Sequence, residues 1–379
     1  MGNGFWLAVG QMCQMCYWTV RYLPRGDWRQ LPRRTLMFGI TIPVLIFFQL
    51  LHWLGFTLDE LLFRKYRKVA VTKPIFVTGI PRSGTTHLQR VLAKDDQLTS
   101  MKTWECVLAP SISERHFYRL IGRAFHPISR FFSKVSIPFF QNMKSIHQLG
   151  LNEAEEDFIA LLPINSCFLL VVLFPDVSHY WRLSQFDSAL NSDQKSKILT
   201  YYHRIIQKHL YFHGPEKRYL CKNPSYLSWV QSLSARYADA SFILCEREPS
   251  KTVPSQLSSL QPIWNVFYGE KMSVDFSQRI VSMMAKNYHY IDRLPLEKVN
   301  AMRLPMSKLV NDLRGAVGMV YGHAKIEQTS KFTELLEEEI AQANRYKSKH
   351  QYCSSSVYDW QIHGELFPCF EKPYEQVEV

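Results

Sequence analysis

The sequence predicts an α/β fold. Three layers are expected, with a central, mainly parallel sheet between helices, preceded by an N-terminal membrane-associated helical segment. Three observations carry this. A short apolar run ends in a glycine-rich turn and a helical pattern at "PIFVTGIPRSGTTHLQRVL", residues 74–92. A second strand–helix–strand series runs from 218 to 260. Residues 35–58, "TLMFGITIPVLIFFQLLHWLGFTL", hold no charge in 24 positions.

The N-terminal segment is taken as 1–73 and the main domain as 74–379. A bilayer-spanning helix needs about 20 apolar residues, and the run at 35–58 is long enough. Pro43, Gln49 and His52 also allow a kinked helix lying in the membrane. Arg29, Arg33 and Arg34 flank one side, and Arg64, Lys65, Arg67 and Lys68 the other. With both flanks basic, the positive-inside rule assigns no orientation. Residues 1–73 carry ten Lys and Arg against three acids, a net +7 of the chain's +12. That excess beside an apolar run predicts attraction to anionic lipid. No recognised module accompanies it to suggest nucleic acid. Trp6, Trp18 and Trp28 suit the headgroup level. Asn223 lies in the one sequon-like triplet, and the following proline blocks it, which disfavours a Golgi-type lumenal orientation. The expected location is an inner or cytoplasmic membrane with the main domain on the cytoplasmic side. No two pairs of cysteines stand at zinc spacing, Cys13-x-x-Cys16 has no βαβ pattern around it, and Cys221 and Cys245 lie in strand-like runs as buried thiols.

In the domain, "PIFVTG" reads as a buried strand and "SGTTHLQRVLAKD" as a helix with Leu88, Val91 and Leu92 on one face. Strand, glycine loop and helix aim successive backbone N–H groups at an anion. The turn is P-loop-like, because Gly79 and Gly84 stand five apart as in G-x-x-x-x-G-K-[ST]. Thr85 replaces the P-loop lysine, and Arg82 sits inside the loop as a fork of donors. Pro81, Arg82, Ser83, Gly84, Thr85 and Thr86 are therefore the candidate anion-binding residues. Further on, "RYLCK" and "SFILCE" read as strands, "YLSWVQSLSARY" and "EEDFIALL" as helices, and "REPSKTVPSQLSSL" starts at a strand end. A strand and an amphipathic helix are expected in 297–324. Ligands of open α/β sheets bind at strand C-termini, which selects Lys222 and Arg247.

These motifs resemble the sulfotransferases that use 3′-phosphoadenylyl sulfate (PAPS), in the membrane-attached, bacterial-like "PRSGTT" branch. "PIFVTGIPRSGTTHLQRVL" is similar to the loop that binds the 5′-phosphosulfate. "REPSKTVPS" is similar to the segment that grips the 3′-phosphate, with Arg247 and Ser255 at the family's spacing. "WECVLAP", "IHQLGLNEAEEDFIAL", "LCKNPSYL" and the C-terminal "HQY…VYDW…F" have counterparts, so the resemblance spans residues 74–376.

The resemblance implies sulfuryl transfer from PAPS, as co-substrate, to a hydroxyl or amine. Direct Arg, Lys and N–H contacts would balance the transferring group, so no metal is expected. Arg82 and Lys222 would meet charge on the bridging oxygen. The general base is Glu105, by likeness to the Golgi tyrosyl-protein branch, or His147, since cytosolic members use a histidine. The acidic cluster Glu155, Glu156 and Asp157 either orients His147 or an acceptor loop, or simply starts a helix. The apolar stretches of 106–215 favour a lipid, sterol or glycolipid acceptor. Alternatives are a carbohydrate or small-molecule sulfotransferase, a P-loop kinase or NTPase, and a non-catalytic nucleotide-binding membrane protein.

Overall fold

The computed structural model describes residues 2–23, 28–120, 154 and 156–345. Five strands form its sheet: β1 Ile75–Gly79, β2 Leu98–Thr99, β3 Arg218–Lys222, β4 Ser241–Glu246 and β5 Ala301–Pro305. Their order is β2-β3-β1-β4-β5 and every pairing is parallel. β1 lies at the centre, and all five of its residues are buried. Ile75 pairs with Leu220 on one side and Ser241 on the other, so the strands run in near-level register.

Side chains alternate across a strand, and here the alternation makes two cores. Phe76, Cys221, Phe242 and Leu244 point into the larger one. Ile75, Val77, Leu220, Ile243 and Cys245 point into the other. The smaller core is closed by α3 (Thr85–Leu92), which buries Leu88, Val91 and Leu92, and by a later helix, Leu313–Ala324. Against the larger core pack the N-terminal helices α1 (Gly2–Tyr22) and α2 (Leu31–Leu62). Three helices from the second half complete that layer: α6 (Ser192–His213), α8 (Pro249–Tyr268) and α9 (Val274–Arg293). Caps set their starts. The Asn191 side chain accepts from Gln194 N before α6, and Ser273 accepts from Phe276 N before α9.

Some elements differ from expectation. "EEDFIALL" is a 3₁₀ helix, Asp157–Ile164, with Pro163 inside it, where an α-helix would lose a backbone donor. "YLSWVQSLSARY" divides into a 3₁₀ turn, Pro224–Trp229, and α7 (Val230–Arg236). The Asn223 side chain accepts from Ser225 N and tightens that turn. Two-residue β2 is too short for an alternation pattern to reveal.

Helix α2 is the one described helix long and apolar enough to cross a membrane. It extends past the uncharged run at both ends and packs on the body. Phe38, Ile42, Trp53 and Phe56 are buried in the larger core.

Candidate active site

The site is built at the C-terminal ends of β1, β3 and β4. β1 stops at Gly79, whose φ is +132°. An added Cβ would lie 2.1 Å from the Cys245 carbonyl oxygen, so only glycine lets β4 approach here. The chain then turns through Pro81 to Gly84, and Ile80 N donates to Cys245 O at 2.9 Å. Arg82 has φ +68° and Gly84 has φ +90°. A non-glycine residue in the left-handed region is uncommon and marks a backbone bent for a purpose. The bend ends at the N-terminus of α3, where backbone N–H groups lack helical partners and favour an anion.

Ser83 is fully buried and donates to Ile80 O at 2.6 Å, so it braces the loop from inside. Pro81, Arg82, Gly84, Thr85 and Thr86 line a cavity of about 370 Å³. Arg247, just past β4, lines it too. The two motifs touch. Arg82 Nε donates to Ser255 Oγ at 3.0 Å, and Arg247 Nη1 donates to the Arg82 carbonyl at 3.3 Å. Tyr288 donates to the Arg247 carbonyl and shares a 2.8 Å hydrogen bond with Thr252, tying the start of α8 to α9.

Lys222 ends β3, in register with Val77 of β1, at the sheet edge where the loop begins. Its side chain is 2 % exposed, and Nζ donates to Glu156 Oε1 at 2.8 Å. Glu156 lines the cavity. The next residue anchors it. Asp157 is buried and accepts from Tyr202 and Tyr219, with Cys221 Sγ at 3.4 Å. Burial pushes the Asp157 carboxyl up to about 6, against the pull of those three donors. The lining also holds apolar side chains, Phe158, Phe168, Val171, Val172, Leu260, Ile280 and Met283, with Ser225, Gln256 and Asn287 among its polar members. Val171 and Val172 belong to the short helix α5 (Leu170–Leu173), and Leu260 to α8. One cavity is therefore lined by the candidate anion-binding loop and by apolar side chains.

Glu105 is not among the lining residues. It lies in α4 (Thr103–Val107), beyond edge strand β2, and its side chain is fully buried. Oε1 accepts from His213 at 2.5 Å, and Oε2 accepts from Lys102 N at 3.0 Å. Arg115 stands at 3.9 Å and His209 at 3.7 Å. Burial alone would raise this carboxyl, yet the Arg115 charge and the His213 hydrogen bond hold it well below the usual range. Burial also keeps His209 neutral, driving it well below the ordinary histidine value. Both Glu105 oxygens serve this cluster. His147 and Glu155 lie outside the described residues. Glu156 was legible only as one of three adjacent acids; its pairing with Lys222 needs the parallel register of β3 and β1.

Residues 74–330 match the sulfotransferase family, which covers more than half of the chain. The chain belongs to the sulfotransferase family. Among curated relatives it is similar to the omega-hydroxy-beta-dihydromenaquinone-9 sulfotransferase Stf3 of Mycobacterium tuberculosis and of Mycobacterium bovis. With each it is 24% identical over 293 residues, 74% of this chain and 71% of the relative. Its fold is similar to two solved sulfotransferases. STF9 from Mycobacterium avium aligns with a TM-score of 0.58 at 16% identity, covering 84% of this chain and 79% of that one. STF1 from Mycobacterium tuberculosis aligns with a TM-score of 0.58 at 18% identity, covering 84% and 81%. This sulfotransferase thus has the α/β fold expected of it, and membership sets aside the kinase and non-catalytic readings.

Proposed function

We propose that this sulfotransferase moves a sulfuryl group from PAPS to a hydroxyl, or an amine, of an apolar membrane-borne acceptor: a lipid, sterol or glycolipid. The observation that carries this is the single cavity lined both by the Arg82 loop and by apolar side chains such as Phe168, Val171, Val172, Leu260 and Ile280. The residues fit the donor. The left-handed bend at Arg82 and Gly84 suits backbone N–H groups that would hold a 5′-phosphosulfate, with Thr85 and Thr86 in the same lining. Arg247 and Ser255, already joined to Arg82, would take the 3′-phosphate. When bound, the donor supplies the sulfuryl group and the leaving phosphate.

The chain's own residues do the rest. Glu156 stands in the cavity and is assigned to accept the acceptor's proton; a positioned base contributes about 10²–10⁴-fold. Lys222 holds that carboxylate by its ion pair, and Asp157 holds the backbone beside it. Arg82, Lys222 and Arg247 are fixed cations near where negative charge grows on the leaving oxygen, and such preorganised charge needs no metal. Val171, Val172 and Ile280 position an apolar acceptor and keep water from the reacting atoms.

The activity for which the relative Stf3 is named, on a hydroxylated menaquinone, supports the acceptor class. The basic, apolar N-terminal helices support membrane association, and the proline-blocked sequon at Asn223 is the ground for assigning the catalytic body to the cytoplasmic face. The test supplies sulfur-labelled PAPS to the membrane-bound protein with a total lipid extract, and in parallel with soluble glycans and small alcohols. Label should enter the lipid fraction. Label found only in glycans or small alcohols would replace the acceptor assignment with the carbohydrate or small-molecule reading.

A further inference from the structure

Helix α2 has two faces of different chemistry. One is bonded to the body through polar groups that a membrane-crossing helix could not spare. Gln49 Nε2 donates to Leu162 O at 2.9 Å, and Trp53 Nε1 donates to Pro163 O at 3.1 Å. His52 meets Glu114 at 2.7 Å in a buried contact. Asp59 is fully buried, and Lys208 Nζ donates to it at 2.6 Å. Asp59 also accepts from the backbone of Ile112 and Ser113. Drawing this helix through a bilayer would part Lys208 from Asp59 and Glu114 from His52, and carry Asp59 and His52 into hydrocarbon.

The other face is a stripe. Leu36, Ile40, Val44, Phe47, Leu50 and Leu54 are each 46–62 % exposed. They are spaced by three or four residues, so they stack along one side of the helix for about five turns. From 36 to 58 the exposed residues of this helix include no charge. Exposed Arg29 and Arg33 stand at one end of the stripe, and Arg64, Lys65 and Lys68 at the other. Trp28, at the first end, is 77 % exposed.

We propose that this protein is monotopic. Helix α2 lies in the plane of an anionic membrane surface, with its stripe among the acyl chains and its basic ends at the headgroups. The occupant of the stripe is lipid. Positive charge confined to the two ends complements an anionic surface, and an indole at the rim suits the interface. An exposed apolar stripe this long is rare on a monomer without a partner.

The docking also orders the active site. Helix α2 packs on α8 and on the chain after α5, both walls of the cavity: Phe38 rings meet Phe174, Phe267 and Tyr268. Arg33 Nε donates to Val266 O at 3.3 Å, and Ile263 and Val266 of α8 are themselves exposed. The apolar surface thus continues from α2 onto a helix that lines the cavity. An acceptor dissolved in the same leaflet would enter without leaving it; this consequence alone rests on the apolar-acceptor reading above.

The experiment uses the full chain and no acceptor, so the docking and the acceptor class fail separately. Vesicles of phosphatidylcholine, with and without phosphatidylglycerol, are floated with the protein. Binding should need the anionic lipid and drop about tenfold or more in Ile40→Glu/Leu50→Glu, whose donor binding and melting temperature stay at wild type. A single charge change at Lys65→Glu should weaken it less and in a salt-dependent way. Protease added outside sealed proteoliposomes should remove an N-terminal epitope tag. A protected tag would overturn the proposal in favour of a spanning helix. So would a wild-type dimer that ignores vesicles and becomes monomeric in the double variant, because a second copy would then cover the stripe.

Discussion

Arg82 and Arg247 are separated by 165 positions and meet through one backbone hydrogen bond. That contact ties the loop proposed for the phosphosulfate to the residue proposed for the 3′-phosphate. Arg247→Ala should therefore erase the preference for PAPS over adenylyl sulfate, which lacks the 3′-phosphate. Charged hydrogen bonds are worth about 1.5–3 kcal/mol each, so roughly 10–100-fold of discrimination should vanish in a competition assay. An unchanged preference would move the 3′-phosphate elsewhere. The two glutamates separate by the same logic of placement. Glu156→Gln should keep donor binding and lose about 10²-fold or more in single-turnover rate. Glu105→Gln would leave Arg115 buried without its countercharge, a change that costs about 3–5 kcal/mol in buried pairs. It should lower the melting temperature more than the rate per folded molecule. The reverse pattern would restore Glu105 as the base. Sequence distance explains why the shape of the loop was readable and the surroundings of the two glutamates were not. Pro81 to Thr86 act through local backbone shape, which a motif records. Glu105 and Glu156 differ only in what distant residues surround them: His209, His213 and Arg115 for one, Lys222 and an open cavity for the other.

At the scale of elements, β1, β3 and β4 were visible as short apolar runs because a parallel strand is buried on both faces. β2 and the 3₁₀ segments left no such trace. The N-terminal helix was visible by length, but the sequence shows only that its residues are uncharged. Which side is buried depends on Leu162, Pro163, Glu114 and Lys208, all more than fifty positions away. The junction of β1 with its loop gives a sharp test. Gly79→Ala combines a φ of +132° with a Cβ 2.1 Å from the Cys245 carbonyl. Backbone strain of about 1–3 kcal/mol adds to overpacking of about 1–3 kcal/mol, because β4 cannot yield without disturbing the sheet. Denaturant unfolding should show a loss of about 3 kcal/mol or more. A loss under about 0.5 kcal/mol, the scale of a neutral surface change, would mean the strand–loop junction is not packed as described.

For the whole molecule, the cluster around Glu105 and the buried histidines make stability depend on pH. Burial lowers His203 to about 4, and Arg236 and Arg204 add to the effect. In the unfolded chain a histidine titrates near 6.5. Between those values the unfolded chain binds a proton that the folded protein refuses, so stability falls as pH drops. His209 acts in the same direction. Glu105 follows lower down. Its folded carboxyl stays ionised where an unfolded glutamate is already protonated, so its contribution is present above about pH 4.5 and fades below it. Asp157 opposes them. Its folded value of about 6 lies above the unfolded value, so the folded protein takes this proton first, and that adds stability as pH falls from 6 towards 4. Two histidines outweigh one aspartate across the window. The melting temperature should therefore be higher at pH 7.5 than at pH 5, and the decline should steepen below pH 4.5. Asp157→Asn, which cannot take up the compensating proton, should steepen the decline between pH 6 and 4 while leaving its direction unchanged. Calorimetric scans of both proteins across this range decide the matter. A flat wild-type profile from pH 7.5 to 4.5 would show that His203 and His209 are not held neutral by burial.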